Sequence, residues 1–305
     1  MLVIVCPGQG SQNPGFMAPW LELPAFAGSV AAMSESIGMD LAHQGTVSDA
    51  DTIRDTAIAQ PLIVSAGVAT VAALKSAGMA KFDGVAGHSV GEVTASVLAG
   101  ILTPDAGIRF VAKRGISMAS AAAKVPSGMA AVLGGDATEV ADYLVSIGLT
   151  PVNFNGAGQI VAAGPVAAIA RLQEAPLEGT KVIPLQVAGP FHTSHMNPAV
   201  AELEIFAESI ETADPAVTIW SNSDGKTISS GKKYLDSLVS QVSHPVRWDL
   251  CMDAMVEAGV TALIEVAPAG TLVGLAKRGM PGVETLALKT PDQIPAALEL
   301  AIKHA

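Results

Sequence analysis

The sequence predicts an α/β fold with a parallel sheet at its core, on three observations. Short apolar runs closed by Gly and Pro alternate with helix-length segments, the order that builds βαβ units. Half of the 305 residues are hydrophobic and only 15% are charged, so the chain can bury a large core. Aromatics make up 4%, which leaves that core to Ala, Val, Leu and Ile, side chains that let helices pack closely on a buried sheet.

The elements follow in order. "MLVIVC" at the N-terminus is a continuous apolar run ended by "PGQGSQNPG", the mark of a buried strand. "AQPLIVSAGVATVAALKSAG" reads as a helix, with Pro61 near its start and Gly78 past its end. "FDGVAGHS" is a second short strand, Gly91 to Leu98 a helix, and "PDAGIRFVAKRGISMASAAAK" another with Pro104 near N1. Near Pro126 the rhythm changes. "SGMAAVLGG", "TPVNFNGAGQIVAAG" and "TKVIPLQVAGPFH" are strand-like, with helical "ATEVADYLVSIG" and "PVAAIARLQEA" between them. That is a βαββαβ-like order and predicts a ferredoxin-like subdomain. After His192 long helices return, and "TALIEVAPAGTLVGLAKRG" gives a strand, a turn and a helix. The expected organisation is a large domain of residues 1–125 and 193–305 with a small one, 126–192, inserted in it.

Bulk properties narrow the function. The net charge of −11 offers no basic field for nucleic acid. Cys6 and Cys251 sit among apolar residues and are expected as buried, reduced thiols rather than a disulfide. The N-terminus lacks a basic n-region, and no run approaches the roughly 18 apolar residues of a membrane span. The expectation is a soluble cytoplasmic protein that engages neither membrane nor nucleic acid.

Chemistry concentrates in "FDGVAGHSVGEVTASVLAG", where Gly87 to Gly91 spells G-x-S-x-G. In a nucleophile elbow the glycines admit a sharp strand-to-helix turn that lifts the serine hydroxyl clear of the sheet. The helix N-terminus behind it favours negative charge. So short a pattern recurs by chance. Its place between a strand and a helix gives it weight, and it makes the large domain α/β-hydrolase-like with Ser89 as the nucleophile.

A serine hydroxyl needs a base. Of six histidines, His88 is adjacent to Ser89 and is expected to point elsewhere, while His43, His244 and His304 lie in polar or terminal segments. His192 and His195, in "GPFHTSHM", follow a strand-like run, and strand ends are where side chains converge in such folds. Their i, i+3 spacing also suits a metal, but no third ligand is evident. Arg114 stands in the apolar helix segment "VAKRGISMA", so it needs either a buried partner, a route to solvent, or a carboxylate to clamp.

Together these pieces resemble the malonyl-CoA:acyl-carrier-protein transacylase family, which includes the acyltransferase domains of fatty-acid and polyketide synthases. The matching stretches are "PGQGSQ" (7–12), "GHSVGE" (87–92), "KRG" (113–115), "GPFHT" (189–193), "QVSHPVRW" (241–248) and "EVAPAGTLVGLAKR" (265–278). They keep the family's order over nearly the whole chain, and "DTAIAQPLI" and "LQVAGPFHT" resemble its actinobacterial branch. The length suits a freestanding enzyme of type II fatty-acid biosynthesis, expected to be a monomer.

The resemblance implies roles. Ser89 would be the nucleophile and His192 the base. Backbone N–H groups of Gln9 and Val90 would form the oxyanion hole. Arg114 would bind the free malonyl carboxylate, and the Gln241 backbone carbonyl would orient the His192 ring. An acidic partner among Asp214, Asp224, Asp236, Asp249 and Glu265 stays open. Phe191 would favour malonyl, because a bulky ring fills the space an α-methyl needs. The implied partners are CoA thioesters and phosphopantetheinylated acyl carrier protein, with no metal or other cofactor. Lys113, Lys277 and Arg278 are weak candidates for phosphate contacts. The alternatives are a serine thioesterase or hydrolase, a non-catalytic binding subunit, or the same transfer serving a malonate decarboxylase or a polyketide pathway.

Overall fold

The computed structural model describes residues 1–185 and 189–304. β1 (Leu2–Cys6) is followed by α1 (Pro24–Ile37), α2 (Leu41–Thr46) and α3 (Thr56–Ser76). β2 (Gly84–Gly87), α4 (Gly91–Leu98) and α5 (Pro104–Ala122) complete the first part. Next come β3 (Ser127–Leu133), α6 (Ala137–Ser146), β4 (Thr150–Gly156), β5 (Gln159–Pro165), α7 (Val166–Glu174) and β6 (Lys181–Leu185). The chain returns through α8 (Asn197–Ala207), β7 (Thr218–Ile219), α9 (Gly231–Ser240), β8 (Val246–Arg247) and α10 (Trp248–Glu257). It ends with β9 (Ala262–Glu265), α11 (Thr271–Gly279), β10 (Glu284–Ala287) and α12 (Ile294–Lys303).

The central sheet has the order β10-β9-β1-β2-β7 and is parallel throughout. Alternation along β1 buries both faces. Leu2, Ile4 and Cys6 enter one apolar cluster with residues of α1, α3, α4 and α5, while Val3 and Val5 enter another with α10 and α11. That two-sided burial is why β1 reads as an unbroken apolar run.

The second sheet has the order β6-β3-β5-β4-β8. Its first four strands, with α6 and α7, form an antiparallel βαββαβ unit of ferredoxin-like order. "TPVNFNGAGQIVAAG" proves to be a hairpin, β4 and β5, turned by three consecutive residues of positive φ, Gly156 to Gly158. One face of this sheet packs on α6 and α7. The other, through Met129, Ala131, Val161 and Ala163, joins the main core. The edge strand β8 comes from beyond His192 and pairs parallel to β4. The last part of the strand expected over "TKVIPLQVAGPFH", residues 186–188, lies outside the described residues.

α3 departs from the sequence reading in two ways. It begins at Thr56, because the Asp55 carboxylate caps the Ala57 N–H at 2.8 Å. Pro61 therefore falls inside the helix, where it deletes one backbone donor without ending it. At 21 residues with a hydropathy of 1.8, α3 is also long and apolar enough to cross a membrane, contrary to expectation. It spends that apolar surface inside the protein, with 83% of its most hydrophobic window buried.

Candidate active site

The serine turn is built by glycines that nothing else could replace. A Cβ on Gly87 would overlap the backbone of Gly91, and one on Gly91 would overlap the Cys6 carbonyl oxygen at the end of β1. A Cβ on Gly8 would come within 2.9 Å of the His88 carbonyl oxygen. The turn thus sits pressed against the loop after β1. Ser89 is held at φ 52°, a left-handed conformation that costs a serine about 1–2 kcal/mol. Its N–H donates to Asn222 Oδ1 at 2.8 Å, and Asn222 Nδ2 donates to the Gly87 carbonyl at 2.8 Å. Asn222 therefore clamps the turn from the loop after β7.

His192 arrives from the loop between β6 and α8, itself at φ 62°. Gly189 lets this loop close on α5, since a Cβ there would strike the Ala122 methyl. His192 Nε2 lies 2.7 Å from Ser89 Oγ, and Nδ1 lies 2.8 Å from the Gln241 backbone oxygen. A carbonyl oxygen only accepts, so Nδ1 carries the proton and Nε2 is free to take one from serine. Burial, aided by the nearby Arg114 charge, pushes the His192 pKa down to about 3, although its bond to Gln241 opposes the shift. The ring is neutral at ordinary pH.

The five acids considered as partners are all engaged elsewhere. Asp214 accepts from the Gly231 N–H, and Asp224, Asp236 and Asp249 pair with Lys226, Lys232 and Arg247. Glu265 accepts from the N–H groups of Gly270, Leu272 and Val273 at the start of α11. His195 is exposed and bonds Thr193. His88 points away from the serine, to Asn155 Oδ1 on β4 at 2.8 Å.

Arg114 is 1% exposed. Its Nη1 donates to Gln60 Oε1 at 2.7 Å and its Nη2 to Gln241 Oε1 at 2.9 Å. Among the described residues no carboxylate pairs with it, so it is neither an internal ion pair nor a snorkelling side chain. Burial lowers its pKa to about 10, which leaves it cationic at neutral pH.

A cavity of about 70 Å³ is lined by Ser89, His192, Gln9, Val90, Gln60 and Phe191, among others. Neither the Gln9 nor the Val90 backbone N–H has a protein acceptor among the described residues. This small cavity shares Gln9, His88, Asn153 and Leu185 with a larger one of about 420 Å³ between the two sheets. Of the weak phosphate candidates, Arg278 reaches Gln159 on the wall of the larger cavity at 3.4 Å. Lys113 pairs with Glu202, and neither it nor Lys277 lines either cavity. Cys6 and Cys251 are buried free thiols, as expected, and burial raises their pKa values.

Residues 3–290 match the acyl transferase domain family. The chain belongs to that family. A malonyl CoA-acyl carrier protein transacylase of Mycobacterium bovis is 47% identical to this acyltransferase, over 96% of the chain and 98% of the relative. The crystal structure of MCAT from Mycobacterium tuberculosis matches it with a TM-score of 0.94 at 46% identity, over 98% of this chain and 99% of that one. A malonyl-transacylase solved in complex with its type II PKS acyl-carrier protein matches with a TM-score of 0.93 at 31% identity, over 98% and 99%.

Three buried polar residues escaped the sequence reading: Gln60, Glu92 and Asn222. Glu92 closes the "GHSVGE" stretch, and Gln60 is a polar residue in an apolar helix, so both left a trace. Asn222, in a loop, left none.

Proposed function

We infer that this acyltransferase moves the malonyl group of malonyl-CoA to the phosphopantetheine thiol of an acyl carrier protein, for fatty-acid biosynthesis. The observation that carries the reading is a buried guanidinium, Arg114, bonded among the described residues only to amide oxygens beside a serine–histidine pair. A buried cation without a carboxylate partner favours an acyl group that brings one. The malonyl-transacylase names of the relatives agree with it.

Ser89 Oγ attacks the thioester carbonyl while His192 Nε2 takes its proton. The carbon–oxygen bond forms, and the oxyanion is met by the N–H groups of Gln9 and Val90, each worth about 3–4 kcal/mol in sites of this kind. The carbon–sulfur bond then breaks and His192 returns the proton to the CoA thiolate. The ester waits on Ser89 with its carboxylate at Arg114. The carrier thiol enters and the steps reverse. Phe191, which lines the small cavity, leaves little room for an α-methyl. Neither half-reaction changes oxidation state, so the scheme asks for no redox cofactor. It places the chemistry in the cleft between a large domain (1–125 and 193–305) and a small one (126–192), in a protein acting as a monomer in the cytoplasm.

Intact-protein mass spectrometry tests this. Malonyl-CoA alone should leave a lasting adduct on Ser89 that holo acyl carrier protein discharges. Free malonate released without a carrier would make the protein a hydrolase instead. Discharge by a polyketide carrier but not by a fatty-acid carrier would reassign the pathway and leave the chemistry standing.

A further inference from the structure

We propose that Glu92 is a positioning residue for acyl selectivity: it fixes the amide of Gln241 so that the Arg114 guanidinium stays available to a substrate carboxylate. The inference rests on the role of Arg114 given above.

Glu92 lies on the first turn of α4, three residues after the nucleophile, and is 1% exposed. Its two oxygens receive different donors. Oε1 accepts the Asn222 backbone N–H at 2.6 Å, and Oε2 accepts Gln241 Nε2. With its Nε2 so committed, Gln241 must turn Oε1 to Arg114 Nη2. An amide side chain has one donor end and one acceptor end, and the neighbours decide which end goes where. Here Glu92 takes the donor end and the donor-only guanidinium takes the acceptor end, so an acceptor at position 92 lets both be satisfied at once.

Arg114 gains by being held by neutral oxygens. Gln60 and Gln241 orient its planar fork without cancelling its charge. The same carboxyl group also holds the Asn222 backbone, and the Asn222 side chain clamps Ser89. One side chain thus ties the nucleophile turn to the cation through Asn222 and Gln241.

The isosteric change Glu92→Gln separates the two bonds. The Asn222 backbone N–H cannot turn, so the new amide must offer it oxygen and present its NH₂ to Gln241. Gln241 then faces a donor on both sides, so in either orientation one of its ends meets donor to donor and its hold on Arg114 is loosened. The expected result is at least about a tenfold loss in kcat/KM for malonyl-CoA, carried mainly in KM, with a loss under about threefold for acetyl-CoA. In a Gln241→Leu background, which keeps the carbonyl that orients His192, adding Glu92→Gln should change the malonyl-to-acetyl ratio by less than about twofold.

Equal losses for both thioesters in Glu92→Gln, or full multiplication of the two effects in the double variant, would overturn the proposal. Arg114→Ala is assayed beside them. If it loses malonyl selectivity while Glu92→Gln keeps it, Glu92 is not the positioning residue and the reading of Arg114 stands. If Arg114→Ala itself keeps selectivity, that reading fails first. Should Glu92→Gln not fold, Glu92→Asp retains two acceptors on a stem too short to reach both donors. It should shift the ratio in the same direction by a smaller amount, and an unchanged ratio would overturn the proposal.

Discussion

His192 Nδ1 lies 2.8 Å from the backbone oxygen of Gln241, where a hydrolase triad places a carboxylate. A carbonyl fixes the tautomer as a carboxylate does, but it lends no full negative charge to an imidazolium. The histidine is therefore a weak base in a dry site, and the site must draw its catalytic advantage from geometry and from donors aimed at the oxyanion.

The first prediction concerns that base. With its pKa pushed down to about 3, His192 stays neutral far below the range of an ordinary histidine. Ser89 acylation by malonyl-CoA, followed by quenched-flow mass spectrometry, should hold its rate as the pH falls from about 8 to about 5. An acid limb with a midpoint near about 6.5 would place the imidazole in water and contradict this burial.

Ser89→Ala removes the atom that carries the ester. Transfer should drop by several orders of magnitude and no acyl adduct should form, since units of this kind fail together. The fold should survive, because the clamp on this turn is the residue 89 backbone N–H, which alanine keeps.

Arg114→Ala should cost malonyl transfer about 100-fold or more and acetyl transfer far less, measured as kcat/KM for each thioester. It also leaves Gln60 and Gln241 without a buried donor, so the melting temperature should fall with it.

Gly91→Ala should destabilise the protein by at least about 2 kcal/mol, because the methyl overlaps the Cys6 carbonyl. Gly28→Ala, on α1 with nothing within 4 Å of the added Cβ, should instead be neutral or stabilising by up to about 1 kcal/mol. Urea unfolding of the pair separates a steric requirement from general glycine flexibility.

The local pieces follow from the order of residues alone. The apolar run of β1, the glycines about Ser89 and the capped helices were legible because backbone sterics and burial act over a few neighbours. Pro61 shows the limit of such rules, since the Asp55 cap upstream outweighed it. How distant groups meet depended on packing. Ser89 and His192 are 103 residues apart, and Glu92 and Gln241 are 149 apart. No local pattern encodes a hydrogen bond across such a span, because its geometry is set by how two sheets and their helices pack. That packing also decided that a carbonyl, not one of five acids, stands behind the histidine, and that Arg114 is held directly by the amides of Gln60 and Gln241.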